Sequence, residues 1–98
     1  MTDEDSVIGR VRPHGLDPET VTAYEVAQGL LNQVIGAYSA RLHEQRDSPE
    51  AVAALRAEQA RYAAMSRELR PGDRQRVEEV TRECAAILRD LRGEDRSR

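Results

Sequence analysis

Three stretches of this chain place apolar residues at helical spacing, and two short breaks separate them. The last stretch is the plainest: Val77, Val80, Cys84, Ile87 and Leu91 alternate intervals of three and four, with Leu88 beside them, which is the pattern of one buried stripe. The middle stretch is thinner. Val52, Leu55, Tyr62, Met65 and Leu69 stand among seven alanines, so this helix is expected to approach its neighbours through small side chains and to turn Arg and Glu outward. The first stretch differs from both. No charged residue lies between Glu25 and Arg41. At about 100° per residue its apolar positions Tyr24, Val26, Ala27, Leu30, Leu31, Val34, Ile35, Tyr38 and Leu42 cover more than half of the circumference. Two thin helices are expected to leave part of that surface bare.

Cap signals set the boundaries. Asp17-Pro18-Glu19 supplies an N-cap acceptor, a proline at the first helical position and an acid in the first turn, and Ser48-Pro49-Glu50 repeats the signal. The third start is open between Arg70 ahead of Pro71 and Asp73 capping a helix from Arg74. Gly93 reads as the final stop. The fold class is therefore all-α, an antiparallel three-helix bundle with helices over about 18–46, 49–69 and 73–92. Residues 1–16, with Gly9, Pro13 and Gly15, form a flexible, disordered N-terminal arm, residues 17–92 the three-helix domain, and residues 93–98 a short flexible C-terminal tail. A folding unit of about 75 residues has only a marginal core, so partner surface would help it.

The remaining arc of the first helix carries Gly29, Asn32, Gln33, Gly36, Ala40 and His43. Two readings stand side by side. The helix is the central member of the bundle and tolerates its glycines at about 1 kcal/mol each relative to alanine. Alternatively, the two glycines, seven apart on one face, admit another backbone closely, and Glu25, Gly29, Asn32, Gln33, Gly36 and Ala40 form a partner-binding face.

Composition narrows the setting. Phe and Trp are absent and the aromatic content is 3%, so the core is aliphatic, as helix-on-helix packing favours. No apolar run is long enough to span a membrane and the first five residues include three acids, so no signal peptide is expected and the compartment reads as cytoplasmic. The lone Cys84 agrees with reducing surroundings. Every basic side chain apart from histidine is Arg, which together with the alanine content suggests a GC-rich bacterial genome. The net charge of −3 hides an asymmetry: residues 1–50 carry nine acids and four Arg, residues 51–98 nine acids and eleven Arg.

Catalytic chemistry finds no foothold. The histidines, His14 and His43, have no nucleophile assigned to them by spacing, Cys84 falls on the apolar stripe as a small buried hydrophobe, and Glu78, Glu79 and Glu83 form a solvated face with Arg76 and Arg82. No metal-ligand spacing or glycine-rich phosphate loop occurs. No enzyme activity, catalytic residue, cofactor or metal is expected. Small helical chorismate mutases have this length, but the first helix here holds no base before Arg41 and Lys is absent. Helical-hairpin proteins of the Trp-x-Gly type are excluded by the lack of Trp. Arg56, Arg61, Arg67, Arg70, Arg74 and Arg76 exceed the acids among them by only three, which in an acidic chain argues against nucleic acid as a partner and leaves a weak nucleic-acid-binding regulator as the last alternative.

In length, acidity and three-helix layout, residues 17–92 resemble small antitoxins of the epsilon type, which neutralise a kinase-like zeta toxin by packing helices over its nucleotide site. The resemblance implies a non-enzymatic protein-binding module that neutralises a partner protein, a toxin encoded nearby, as one half of a toxin–antitoxin system. It transfers no functional residue. The alternative is a homo-oligomeric scaffold or adaptor in which Gly29 and Gly36 meet their symmetry mates.

Overall fold

The computed structural model describes residues 16–96, with side chains through residue 93. Three helices follow one another: α1 (Pro18–Glu44), α2 (Pro49–Glu68) and α3 (Arg74–Arg96). The sequence-derived arm lies outside the described residues except for Leu16.

Each start obeys its cap. The Asp17 carboxylate accepts from the Thr20 amide at 2.8 Å, and the Ser48 hydroxyl from the Ala51 amide at 3.3 Å, each meeting one of the amides that a helix start leaves bare. Asp73 resolves the third start: its Oδ1 accepts from the Arg76 amide at 3.1 Å. Two ends differ from expectation. α1 stops at Glu44, because the Gln45 amide turns to the carbonyls of both Arg41 and His43, tightening the last turn before the Ser48 amide closes on the Gln45 carbonyl at 2.9 Å. α3 instead runs through Gly93 to Arg96, so the glycine is accommodated as a helical residue rather than used as a stop.

The helices run up, down and up. Antiparallel α1 and α2 are joined by side chains that cross the seam: Gln28 bonds to Ser66 and Gln59 to Ser39 and the Ile35 carbonyl. α3 lies parallel to α1, as the bond from Arg41 Nη2 to the Leu91 carbonyl (3.0 Å) requires. Both outer helices pack along α1, whereas α2 and α3 approach one another far less. α1 is thus the shared element of the bundle.

The core follows the stripes. Ala27, Leu31 and Val34 of α1 and Val80 and Cys84 of α3 are completely covered, and Tyr62 and Met65 of α2, with Leu69 as its C-cap, close the layer. A fully buried Leu or Val stabilises by roughly 1.5–3 kcal/mol, so these positions dominate the small core. The first half of α2, through Ala60, has no fully buried residue, as its alanine content predicts. The expectation that two thin helices leave part of the apolar surface of α1 bare holds only at Val26, which is exposed at 50%. Tyr24, Leu30 and Ile35 pack against the core from its edges, and half-burial on both flanks covers an arc that full burial on one face could not.

Candidate partner-binding face

What α1 leaves to solvent is a ribbon about a third of the circumference wide. Glu25, Asn32, Gln33, Gly36 and Ala40 are exposed and Gly29 is half-buried, so the six residues singled out from the sequence share one side of the helix and none faces the core. Val26 lies at the edge of this ribbon. A side-chain carbon built on Gly29 or Gly36 would meet nothing within 4 Å. The fold itself therefore makes no use of either glycine.

The helices beside the ribbon bring arginines to its two edges. On α2, Gln59 and Ser66 point to α1, and Arg61 points the other way, to Glu83 of α3 at 3.0 Å. The helical repeat then puts Arg56 and Arg67 just beyond the α1 contact, on the ribbon side. On α3, Arg92 Nη2 donates to Gln33 Oε1 at 3.2 Å, which places Arg92 at the opposite edge, with Arg89 and Arg82 further out on the same side. Arg56, Arg67, Arg82 and Arg89 are exposed. Among the described residues their side chains make no hydrogen bond or ion pair.

Acids collect on the far side. Glu58 and Glu83 engage Arg61 at 3.6 and 3.0 Å, and Glu79 engages Arg76 at 3.2 Å. Four of the six arginines read from the sequence are therefore divided: Arg61 and Arg76 are neutralised on the acidic side, and Arg56 and Arg67 rim the ribbon. Sequence reasoning named the ribbon but missed its rim, since Arg89 and Arg92 meet Arg56 and Arg67 only once both helices are wrapped around α1.

The interior polar groups are occupied structurally. Tyr62 stacks on Tyr38 with ring centroids 5.9 Å apart, its hydroxyl donates to Glu83 at 3.4 Å, and the Arg61 guanidinium lies 4.7 Å from its ring centre. Burial, outweighing the attraction of Arg61, pushes the phenol up to about 12. Burial, reinforced by Glu83, raises the Cys84 thiol to about 11, so at neutral pH the sulfur is protonated and enclosed. Asp17 goes the other way, held below the ordinary carboxylate value chiefly by the Thr20 amide. A crevice of about 20 Å³ between Ala23, Arg74 and Glu78 has room for about one water. Among the described residues no three His, Cys, Asp or Glu side chains converge as metal ligands would, and no helix is long and apolar enough to cross a membrane.

Compared with protein-family models, with curated proteins and with solved structures, the chain matches none.

Proposed function

We propose that this protein is a non-enzymatic binding module that grips a partner protein through the exposed ribbon of α1, at Glu25, Gly29, Asn32, Gln33, Gly36 and Ala40. The observation that carries the reading is the pair of glycines. Each costs a helix interior about 1 kcal/mol relative to alanine, and neither is needed by the packing of its own chain. A bundle with so thin a core gains from removing them unless another surface uses the space. The most specific form of the proposal is an antitoxin-like neutraliser, which would cover a functional surface of its target with α1.

A second reading is favoured by the placement of the two glycines seven residues apart on one face: an antiparallel pairing of two copies would set Gly29 of one against Gly36 of the other and make the chain a homo-oligomeric scaffold. One experiment separates the two. The tagged full-length protein is purified from its native cells and sized by light scattering. Binding to a partner predicts a stoichiometric second protein that is lost when Gly36→Leu fills the ribbon, and the scaffold predicts a defined homo-oligomer lost in the same variant. A monomer without a companion, unchanged by Gly36→Leu, removes this face from consideration.

A further inference from the structure

The charge around the ribbon says what kind of partner it fits. The centre, from Val26 to Ala40, holds no ionic side chain, yet α2 borders it with Arg56 and Arg67 and α3 with Arg89 and Arg92. Apart from the Arg92–Gln33 bond, these four are uncommitted among the described residues. The acids of α2 and α3 that form ion pairs, Glu58, Glu79 and Glu83, lie on the other side of the bundle. Three carboxylates lie near the ribbon among the described residues: Glu25, in the first half of α1, Glu44, one turn beyond Ala40 and paired with Arg41 at 3.8 Å, and Glu78, at the crevice beside Ala23. A chain of net charge −3 thus presents one side that is locally positive, with a neutral, small-residue floor.

We propose that the α1 ribbon docks an acidic amphipathic helix of the partner protein, with its small or apolar stripe on Gly29, Gly36 and Val26 and its carboxylates reaching to the arginine rims on both sides. The proposal rests on the binding-module reading and adds the chemistry of its partner. Two features select a helix with acids on both flanks. The floor is a narrow strip along a single helix, which suits a second helix packed at the 8–10 Å separation that small residues permit. The arginines stand at both edges rather than in the middle, where they would meet the partner's apolar stripe. Arg89 and Arg92 are one turn apart, so they match carboxylates at i and i+3 or i+4 on one flank. Arg56 and Arg67 are about three turns apart, roughly 16 Å along α2, so they match acids near the two ends of the other flank. Glu25 and Glu44 mark the two ends of the floor, so the partner's carboxylates belong over the arginine rims rather than over the ends of its stripe. Nucleic acid fits less well, because phosphates would have to bridge an uncharged floor on a chain whose overall field repels them.

The test is an NMR titration of the labelled full-length chain with a synthetic helical peptide that has alanine and leucine along one side and glutamate on both flanks. A twin peptide with every Glu replaced by Gln and a 12-base-pair DNA duplex serve as comparison probes. The expected result is movement of amides over Gly29–Ala40 and along both rims, at least tenfold weaker binding in 0.5 M NaCl, and at least tenfold weaker binding for Arg56→Glu/Arg67→Glu and for Arg89→Glu/Arg92→Glu. Arg76→Gln, on the acidic side, should change nothing, and circular dichroism should show each variant still helical. Should a rim variant lose its helicity, the single changes Arg67→Gln and Arg89→Gln take its place, with at least threefold weakening required of each. Equal binding of the Gln twin, tighter binding of the duplex, or amide shifts confined to the Glu58–Glu83 side each overturn the proposal. So do the same ribbon shifts on concentrating the protein alone, since they assign the ribbon to a second copy. If the peptide fails while a native partner is still lost on Gly36→Leu, only the chemistry assigned here is wrong. If no partner is lost, the binding-module reading itself fails.

Discussion

Gln28 and Gln59 are counterparts: each sends its carboxamide nitrogen 2.9 Å to a main-chain carbonyl of the other helix, Gln28 to Ser66 and Gln59 to Ile35, and the donors and the acceptors are each 31 residues apart. The same shift carries Pro18-Glu19 onto Pro49-Glu50, Val21 onto Val52, and the buried Leu31, Val34 and Tyr38 onto Tyr62, Met65 and Leu69. α1 and α2 are thus related by a local two-fold axis, and the two glutamines are the symmetric clasps of the hairpin.

Equivalent clasps should have equivalent worth. Gln28→Ala and Gln59→Ala should each lower unfolding stability by about 1 kcal/mol, the net value of a side-chain hydrogen bond, and the double variant by nearly the sum, because the sites share no partner. Urea midpoints of the three variants test this. A large loss at one site with none at the other would show that only one clasp holds.

Arg41 has the opposite character, a cation nearly enclosed at 6% exposure whose bond to the Leu91 carbonyl ties the end of α1 to the last turns of α3. Arg41→Met keeps the aliphatic bulk and loses the charge-assisted bond, so a destabilisation of roughly 2 kcal/mol is expected. Amide exchange should quicken in the final turns of α3 more than elsewhere. Uniform quickening over all three helices would show that Arg41 has no local role.

Alkaline titration should reveal the buried acids. Tyr62 and Cys84 have folded values near 12 and 11 against ordinary values of 10.0 and 9.0. Since both are raised, their contribution is intact below pH 9 and is lost as pH climbs through the folded values, so stability should fall between about pH 9 and 12. Cys84→Ala should flatten the lower part of that slope and Tyr62→Phe the upper part. At acid pH the sign reverses for Asp17, whose lowered value stabilises above the ordinary carboxylate range and ceases to as pH falls through the folded value. Asp17→Asn should remove that dependence while keeping a cap. Urea midpoints across the pH range supply the measurement.

The ribbon glycines make the most discriminating prediction. Gly29→Ala and Gly36→Ala should each stabilise the isolated protein by about 0.5–1 kcal/mol, because the added carbon clashes with nothing and the unfolded chain loses freedom. The same changes should weaken partner binding. Thermal melts give the first half and binding to the co-purified partner the second. Greater stability with undiminished binding would mean that the ribbon is idle.

Much of this architecture is legible in the residues because it is written in local chemistry. Asp17, Ser48 and the two following prolines announce helix starts wherever they occur, and the stripe Val77, Val80, Cys84 and Leu91 is buried as its spacing demands. The one exchange on that stripe, Leu88 buried where Ile87 is only half covered, depends on where α1 and α2 stand around α3, which periodicity does not encode. The clasps were hidden for a related reason. Glutamine on a helix reads as surface, and Gln28 becomes interior only because Ser66 faces it. Gly93 misled because a glycine near a helix end marks a stop only when the chain adopts the left-handed turn that glycine permits, and here the helix continues. The ribbon was legible as a patch without charge, whereas its arginine rim needed three helices placed around one another.

The position of α1 between two helices that scarcely touch each other has a kinetic corollary. Pairing α1 with α2 closes a connection of four residues, while pairing it with α3 must wait for a segment more than fifty residues downstream. During synthesis the symmetric hairpin can therefore form while α3 is still inside the ribosome, leaving Ala27, Leu31 and Val34 short of their last cover. For that interval the nascent chain is a half-built receptor for any apolar helix, and the arrival of its own third helix ends the exposure.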